Sequence, residues 1–226
     1  MNFDYILKKL QHRGLDGCAA LLDIKSAYDQ VDHGLLWSTL YNQGICGNLL
    51  EVIKLLFNDS QLHVGLSGFV SEVFSPKVGL LQGSVLSPLL FNIYIDSLLP
   101  RLCLEGGGLE IPGAGHINAL LFTDDVALLT ESTAAMRRLL RVADEHAGRL
   151  RLMWNVSKSV ILANQHVNRL VRSFQISAQP IPVAPVAKYL GIAMNSDGID
   201  IVQHVRNLAA KGWAAYGQLH RCRMHR

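Results

Sequence analysis

Long apolar runs are missing from this sequence. The apolar stretches at residues 19–22 and 119–122 are each cut short by acids, and no block of about 18 apolar residues occurs. No membrane-spanning helix is therefore expected. A secretory leader is not expected either, because Asp4, Lys8 and Lys9 interrupt the N-terminal segment where an apolar block would be required. Cysteine is scarce: Cys18, Cys46, Cys103 and Cys222 lie far apart, with no CxxC pair and no histidine at zinc-finger spacing. That excludes a disulfide scaffold or a structural zinc site and suits reduced thiols in an intracellular protein, with nucleus and cytoplasm left open. Low-complexity tracts and internal repeats are absent as well. Half of the 226 residues are hydrophobic and 17% are charged, enough for one substantial core. The net charge of +3 is too mild to imply nucleic acid. The basic run HRCRMHR at the C-terminus fits either phosphate contact or a solvated helix end.

The patterning predicts strands and helices interleaved. Residues 18–24, CAALLDI, read as a buried strand with Asp23 near its exit. Asp32 reads as the N-cap of a helix carrying Leu35, Leu36, Thr39 and Leu40 and ending at Gly44. A second helix follows through Leu49, Leu50, Ile53, Leu56 and Phe57, then a β-hairpin turning at Ser67 and Gly68. Ser87 and Pro88 suit a helix start, and the following helix runs to about Leu98. Residues 117–122 and 126–130 form two apolar runs around Thr123, Asp124 and Asp125, a hairpin with acids at its tip. Ser132 caps a helix that Gly148 is expected to stop. Short strands are expected at residues 152–155, 160–163, 174–177 and 188–194, and a helix from Ile201 onward. Hairpins require antiparallel pairing, so the fold class expected is α+β, an antiparallel sheet backed by helices.

The acids carry the chemistry. An ionised carboxylate in an apolar strand is costly unless it is compensated, yet Asp23 ends one such strand and Asp124 and Asp125 tip another. If the two strands are neighbours the acids repel one another, and a bound divalent cation relieves the repulsion. Oxygen-only ligands suit magnesium or manganese. Adjacent strand residues face opposite ways, so Asp23 and Asp124 are ranked as the metal pair with Asp125 auxiliary. Read without further context, the Asp124–Asp125 dipeptide is better explained as a turn former.

Three ordered motifs decide between these readings: LDIKSAYDQVDH at residues 22–33, GLLQGSVLSPLLFNIYID at 79–96, and FTDD at 122–125. Together they resemble reverse transcriptases, most closely those of non-LTR, LINE-like retrotransposons. NVSKS at 155–159 resembles the next motif of that family, and KYLGI at 188–192 its primer-grip hairpin. The resemblance implies a polymerase-type palm over residues 1–194, with a residual fingers edge at the N-terminus and the start of a helical thumb over 195–226. It implies an RNA-directed DNA polymerase that adds dNTPs to a DNA primer on an RNA template, with two Mg²⁺ or Mn²⁺ ions held by Asp23, Asp124 and Asp125. By the same resemblance Tyr28 lies under the incoming sugar and excludes a 2′-hydroxyl. Gln82, Gly83, Ser84 and Lys158 contact the nucleotide, while Tyr189, Leu190 and Gly191 place the primer. No membrane association or stable protein partner is implied.

The sequence departs from the family pattern in carrying only 22 residues before Asp23, where the family has a longer fingers region. A palm-centred fragment is therefore expected. The alternative function is a non-catalytic remnant that binds nucleic acid or a partner.

Overall fold

The computed structural model describes residues 17–58, 60–111, 115–163, 173–195 and 198–211. The expected fingers edge at residues 1–16, the later part of the thumb helix, and the basic tail with Cys222 lie outside the described residues.

Strand β1 (Cys18–Asp23) forms the middle of a five-stranded sheet. Its neighbours are β7 (Asp125–Thr130) on one side and β8 (Val160–Ala163) on the other, and both pairings are antiparallel. Strand β6 (Ala119–Phe122) lies outside β7. At the other edge β11 (Val183–Ala184) pairs with β8 in parallel, the one exception to the antiparallel arrangement of this sheet. A strand buried on both faces should read as a continuous apolar run, and Cys18, Ala19, Ala20, Leu21 and Leu22 are all buried.

One face of the sheet, including Ala20 and Leu22, packs against the helices: α1 (His33–Asn42), α2 (Gly47–Asn58), α3 (Ser87–Asp96), α4 (Leu98–Leu104) and α5 (Thr133–Arg149). The opposite face, including Ala19 and Leu21, meets β4 (Leu109–Ile111) and the hairpin of β12 (Val186–Tyr189) and β13 (Ile192–Asn195). The α+β expectation therefore holds, with helices on one face and β-hairpins on the other. Tyr94, Phe57 and Phe91 are fully buried on the helical side, each contributing about 2–3 kcal/mol of apolar burial.

Local signals set most of these elements. Asp32 caps α1 by accepting from the Leu35 amide at 2.9 Å, and Ser132 caps α5 by accepting from Ala135 at 3.2 Å. The stripe of α2 that turns inward is Leu50, Ile53 and Phe57, whereas Leu49 and Leu56 of the same apolar pattern are exposed. Four expectations need correction. Ser87 is not the N-cap of α3: Leu86 takes that place, and the buried Ser87 hydroxyl donates to the Leu81 carbonyl at 2.7 Å. Gly148 does not stop α5, which runs on to Arg149, and Arg151 takes the left-handed φ of 56° that ends it. Residues 152–155 contribute only a single bridge, Ile24 to Trp154, instead of a strand. The apolar run expected to be one strand at 188–194 is split into β12 and β13 by a turn at Leu190 and Gly191.

Of the remaining elements, the strand near 174–177, the hairpin at Ser67 and Gly68 and the helix from Ile201 agree with the expectation, whereas the others were not announced by any periodic pattern. Helix α4 accommodates Pro100 in its first turn, where an amide hydrogen has no helical acceptor. β4 pairs with β5 (Gly115–Ile117), and β9 (Phe174–Ile176) pairs with β10 (Gln179–Ile181), whose Pro180 lies in a two-stranded edge. The hairpin of β2 (Gly65–Leu66) and β3 (Phe69–Val70) turns at Ser67 and Gly68, both at positive φ as a tight two-residue hairpin requires. Its apolar side chains are exposed, Phe69 at 81%. β14 (Gly198–Ile199) adds to β13, and residues 201–211 are helical, with Ile201, Val202, Val205 and Leu208 exposed.

Candidate active site

The pairing of β1 with β7 decides which acids meet. In that register Asp23 lies directly opposite Asp125, and directly paired residues of antiparallel strands project to the same face. Asp125 is therefore the cross-strand neighbour of Asp23, the position that strand alternation had given to Asp124. Asp124 belongs to the two-residue turn between β6 and β7, because Phe122 pairs with Asp125 across it. Thr123 begins that turn at φ 52°, and its hydroxyl lies 2.7 Å from the Phe122 carbonyl and 3.0 Å from Asp124 Oδ1.

The three carboxylates share one electrostatic field. Burial, then the negative charges of Asp124 and Asp23, push the Asp125 carboxyl above its usual range, and Lys188 opposes them. Asp124 also reaches Tyr28, whose phenol is pushed up by burial and then by that charge. Burial and Asp125 do the same to Tyr189. Such a set of oxygen donors, repelling one another and lacking thiolate or imidazole, fits a hard divalent cation by its chemistry. Among the described residues, however, no three His, Cys, Asp or Glu side chains are gathered into a ready cage.

Asp23 is fixed from behind by the segment that follows α5. Its carbonyl accepts from the Asn155 amide at 2.8 Å, and its amide donates to Ser159 Oγ at 3.2 Å. Ser159, itself buried, donates to the Asn155 carbonyl at 2.9 Å. This clasp leaves Lys158 at the surface, with Nζ 3.9 Å from Asp23 Oδ2. Lys25, two residues beyond Asp23, donates its backbone amide to the Met153 carbonyl at 2.9 Å. Gln30 ties the same two segments together, accepting from Met153 N at 2.8 Å and donating to the Lys25 carbonyl.

Two openings flank the acids. A cavity of about 400 Å³ is lined by Asp23, Asp125, Lys158 and Lys188 together with the turn Tyr189, Leu190 and Gly191. Leu190 and Gly191 both have positive φ, 47° and 84°, which bends β12 sharply back into β13. A second opening, about 310 Å³, is lined by Tyr28, Gln82, Gly83 and Ser84, with Ser87 and Pro88 at its base. Tyr28 stacks on buried Phe91, with ring centroids 5.3 Å apart. The loop carrying Gln82 is laced to the segment carrying Tyr28. Leu80 N donates to the Tyr28 carbonyl at 2.8 Å, Gly79 N donates to that of Val31 at 2.8 Å, and Gln82 Nε2 donates to Asp29 Oδ1 at 3.1 Å. His33 Nε2 lies 2.8 Å from the Gly79 carbonyl.

The structure thus brings Asp23, Asp125, Lys158, Tyr189, Leu190 and Gly191 into one cavity and Tyr28, Gln82, Gly83 and Ser84 into another. Asp124 sits at the turn, close enough in charge to influence both Tyr28 and Asp125. Sequence reasoning missed Lys188 and the clasp through Ser159. Lys188 stands immediately before the YLG turn, and a charged residue next to a recognised motif was the available signal.

Comparison with known proteins follows the same outline. The family described as "Reverse transcriptase (RNA-dependent DNA polymerase)" matches residues 2–194. The Pol polyprotein of the type-2 retrotransposable element R2DM of Drosophila melanogaster is 28% identical over 205 residues, covering 86% of this chain and 19% of its own length. The polyprotein of the type-1 element R2 of Popillia japonica is 26% identical, covering 91% of this chain and 36% of its own length. The RNA-directed DNA polymerase from mobile element jockey of Drosophila funebris is 24% identical, with 91% and 22% covered. The chain spans only about a fifth to a third of the length of these relatives. Among solved structures, telomerase from Candida albicans, in complex with a fragment of telomeric RNA, superposes with a TM-score of 0.61 at 15% identity. That superposition covers 86% of this chain and 32% of the telomerase. The truncated apo telomerase from Candida Tropicalis gives 0.60 at 14% identity, covering 88% of this chain and 38% of its own. At such identities the likeness shows the fold alone.

Proposed function

The chain belongs to the reverse transcriptase family, and from that premise we propose that it is the palm of an RNA-directed DNA polymerase whose acid site is built on Asp23, Asp125 and Asp124. In this reading dNTPs are joined to the 3′-hydroxyl of a DNA primer on an RNA template. The observation that carries it is the direct pairing of Asp23 with Asp125, tipped by Asp124, beside a cavity edged with lysines. Two Mg²⁺ or Mn²⁺ ions held by these carboxylates would neutralise charge on both the attacking 3′-oxygen and the departing pyrophosphate. Because the described side chains form no ready cage, substrate oxygens and water would complete the ligand set.

The remaining residues divide between the two openings. Tyr28, braced by Phe91 and within reach of the Asp124 charge, would lie under the incoming sugar and exclude a 2′-hydroxyl. Gln82, Gly83 and Ser84 border the same opening as contacts for nucleotide and template. Lys158 beside Asp23 is placed to protonate or neutralise the leaving pyrophosphate. The turn Tyr189, Leu190 and Gly191 would hold the primer strand against the acids, and the helix at 201–211 would begin the thumb.

Primer extension on poly(rA)/oligo(dT) with dTTP and Mg²⁺ or Mn²⁺ tests the reading, with Asp23→Asn, Asp124→Asn and Asp125→Asn alongside. Each variant should lose at least about a hundredfold in rate, the scale of removing a preorganised electrostatic group. Incorporation equal to that of the unsubstituted chain would refute the acid site. Salt-sensitive RNA binding with no incorporation by any of the proteins would point instead to a non-catalytic nucleic-acid-binding remnant.

A further inference from the structure

His33 is buried at the start of α1 and takes no part in the chemistry proposed above. Its ring packs against Trp37, one helical turn on, with centroids 5.5 Å apart, and edge-on against Phe57 of α2 at 5.6 Å. Its Nε2 lies 2.8 Å from the Gly79 carbonyl. A carbonyl can only accept, so Nε2 carries the proton and donates it. Gly79 is the root of the loop that carries Gln82, Gly83 and Ser84, and its φ of 97° is a left-handed conformation that suits glycine. The backbone is seated at the same place. Asp32 bridges Val78, Gly79 N donates to the Val31 carbonyl and Leu80 N to that of Tyr28, both at 2.8 Å.

We propose that His33 is a positioning residue for the nucleotide-contacting loop: it latches the Gly79 carbonyl to the corner of α1 and α2 and so fixes where Gln82, Gly83 and Ser84 stand beside Tyr28. The inference rests on the polymerase reading above. The outer part of the loop has little else to hold it in place. Gln82 and Gly83 are exposed, and the bond from Gln82 to Asp29 at 3.1 Å competes with water. The Ser87 hydroxyl and the Ser84 amide both donate to the Leu81 carbonyl, at 2.7 and 3.2 Å, but those bonds shape the loop internally without tying it to the rest of the fold. The His33 bond does tie it, through a ring that Trp37 and Phe57 hold on two sides. Without that donor the part-buried Gly79 carbonyl loses a partner, and its peptide turns toward water and carries the following residues with it. A histidine that only filled space would be replaceable by another ring with no effect on the loop.

Two variants separate the latch from packing. His33→Phe keeps a ring between Trp37 and Phe57 and deletes the donor, whereas His33→Gln restores an Nε2 donor at similar reach. In His33→Phe, hydrogen–deuterium exchange of the Gly79, Leu80 and Ser84 amides should quicken about tenfold, the scale of one lost hydrogen bond, while the amides of β1 keep their rates. In primer extension on poly(rA)/oligo(dT), the KM for dTTP should rise about threefold to tenfold with kcat changed by less than about twofold, the pattern of lost binding rather than lost chemistry. His33→Gln should recover most of both effects. The proposal is overturned if loop exchange or KM is unchanged in His33→Phe, or if His33→Gln is as impaired as His33→Phe. It is overturned equally if the β1 amides quicken as much as the loop, which would assign His33 to the core alone. Failure of the polymerase reading looks different. In that case the unsubstituted chain incorporates no nucleotide, and loop exchange in His33→Phe decides the latch by itself.

Discussion

Replacing Asp125 by Asn should make the metal-free protein more stable while disabling it. Asp23 and Asp125 are direct cross-strand partners, and such pairs hold their Cβ atoms about 4.5–5.5 Å apart. Two unit charges at about 5.5 Å interact with about 3 kcal/mol at an effective dielectric of 20. Lys158 and Lys188 offset part of that repulsion, and water reaching the 24%-exposed Asp23 side chain screens more. A net gain of about 1 kcal/mol is left, equivalent to a rise of about 2–4 °C in Tm for a chain of this size. Thermal unfolding by circular dichroism in EDTA reads it. Asp144→Asn is the contrasting control, because Asp144 accepts from Ser177 N at 2.9 Å and Ser177 Oγ at 2.7 Å and should destabilise when neutralised. Added Mg²⁺ should raise the Tm of the unsubstituted chain more than that of Asp125→Asn and narrow the gap. If Asp125→Asn melts below the unsubstituted chain in EDTA, as Asp144→Asn should, then Asp125 is held by structural partners and the reasoning fails.

Stability should also fall in mild acid because of His146. Burial, then Arg101 and Arg149, lower its pKa to about 4 from an ordinary 6.5, and its Nδ1 has no hydrogen-bond partner among the described residues. The folded state keeps the ring neutral, so its stabilisation is intact above pH 6.5 and is lost as pH falls toward 4, by at most about 3 kcal/mol. Urea unfolding of the unsubstituted chain and His146→Gln should diverge across that window, and parallel pH profiles would show that the ring is not the cause. Tyr28→Ala should raise the use of ribonucleotides relative to dNTPs by about tenfold or more in primer extension, since the side chain that crowds the sugar is gone. It should also lose about 1–3 kcal/mol of stability, because the stack on Phe91 goes with it. Unchanged sugar discrimination would assign Tyr28 to packing alone.

The sequence made legible whatever depends on local pattern. β1 was visible as an apolar run, and Asp32 and Ser132 were visible as caps because capping is decided within three or four residues. Elements made by long-range pairing were not. β11 is two residues long in a proline-rich segment and exists only because β8 lies beside it. The turn at Leu190 and Gly191 interrupts an apolar run that looks continuous to periodicity, and only its resemblance to a known hairpin hinted at a bend. Gly148 failed as a stop signal because Ala147 and Leu150 are both buried on the inner face of α5, so packing carried the helix past it.

The acid site shows the same boundary more sharply. Residue type and motif order pointed to all three aspartates, but alternation along a strand was applied as though Asp124 and Asp125 were both strand residues. With Thr123 and Asp124 forming the turn, the strand begins at Asp125, and register places that residue opposite Asp23. A shift of one residue in the hairpin would exchange the two aspartates and carry Val126, Leu128 and their neighbours from one core to the other. Because β7 is buried on both faces, such a slip would disturb the cores packed on either side of the sheet. The placement of the acids is therefore enforced by the core beneath them. An insertion at the turn between Phe122 and Asp125 should damage the site long before it damages the sheet, since it displaces Asp124 while leaving the β1–β7 register intact.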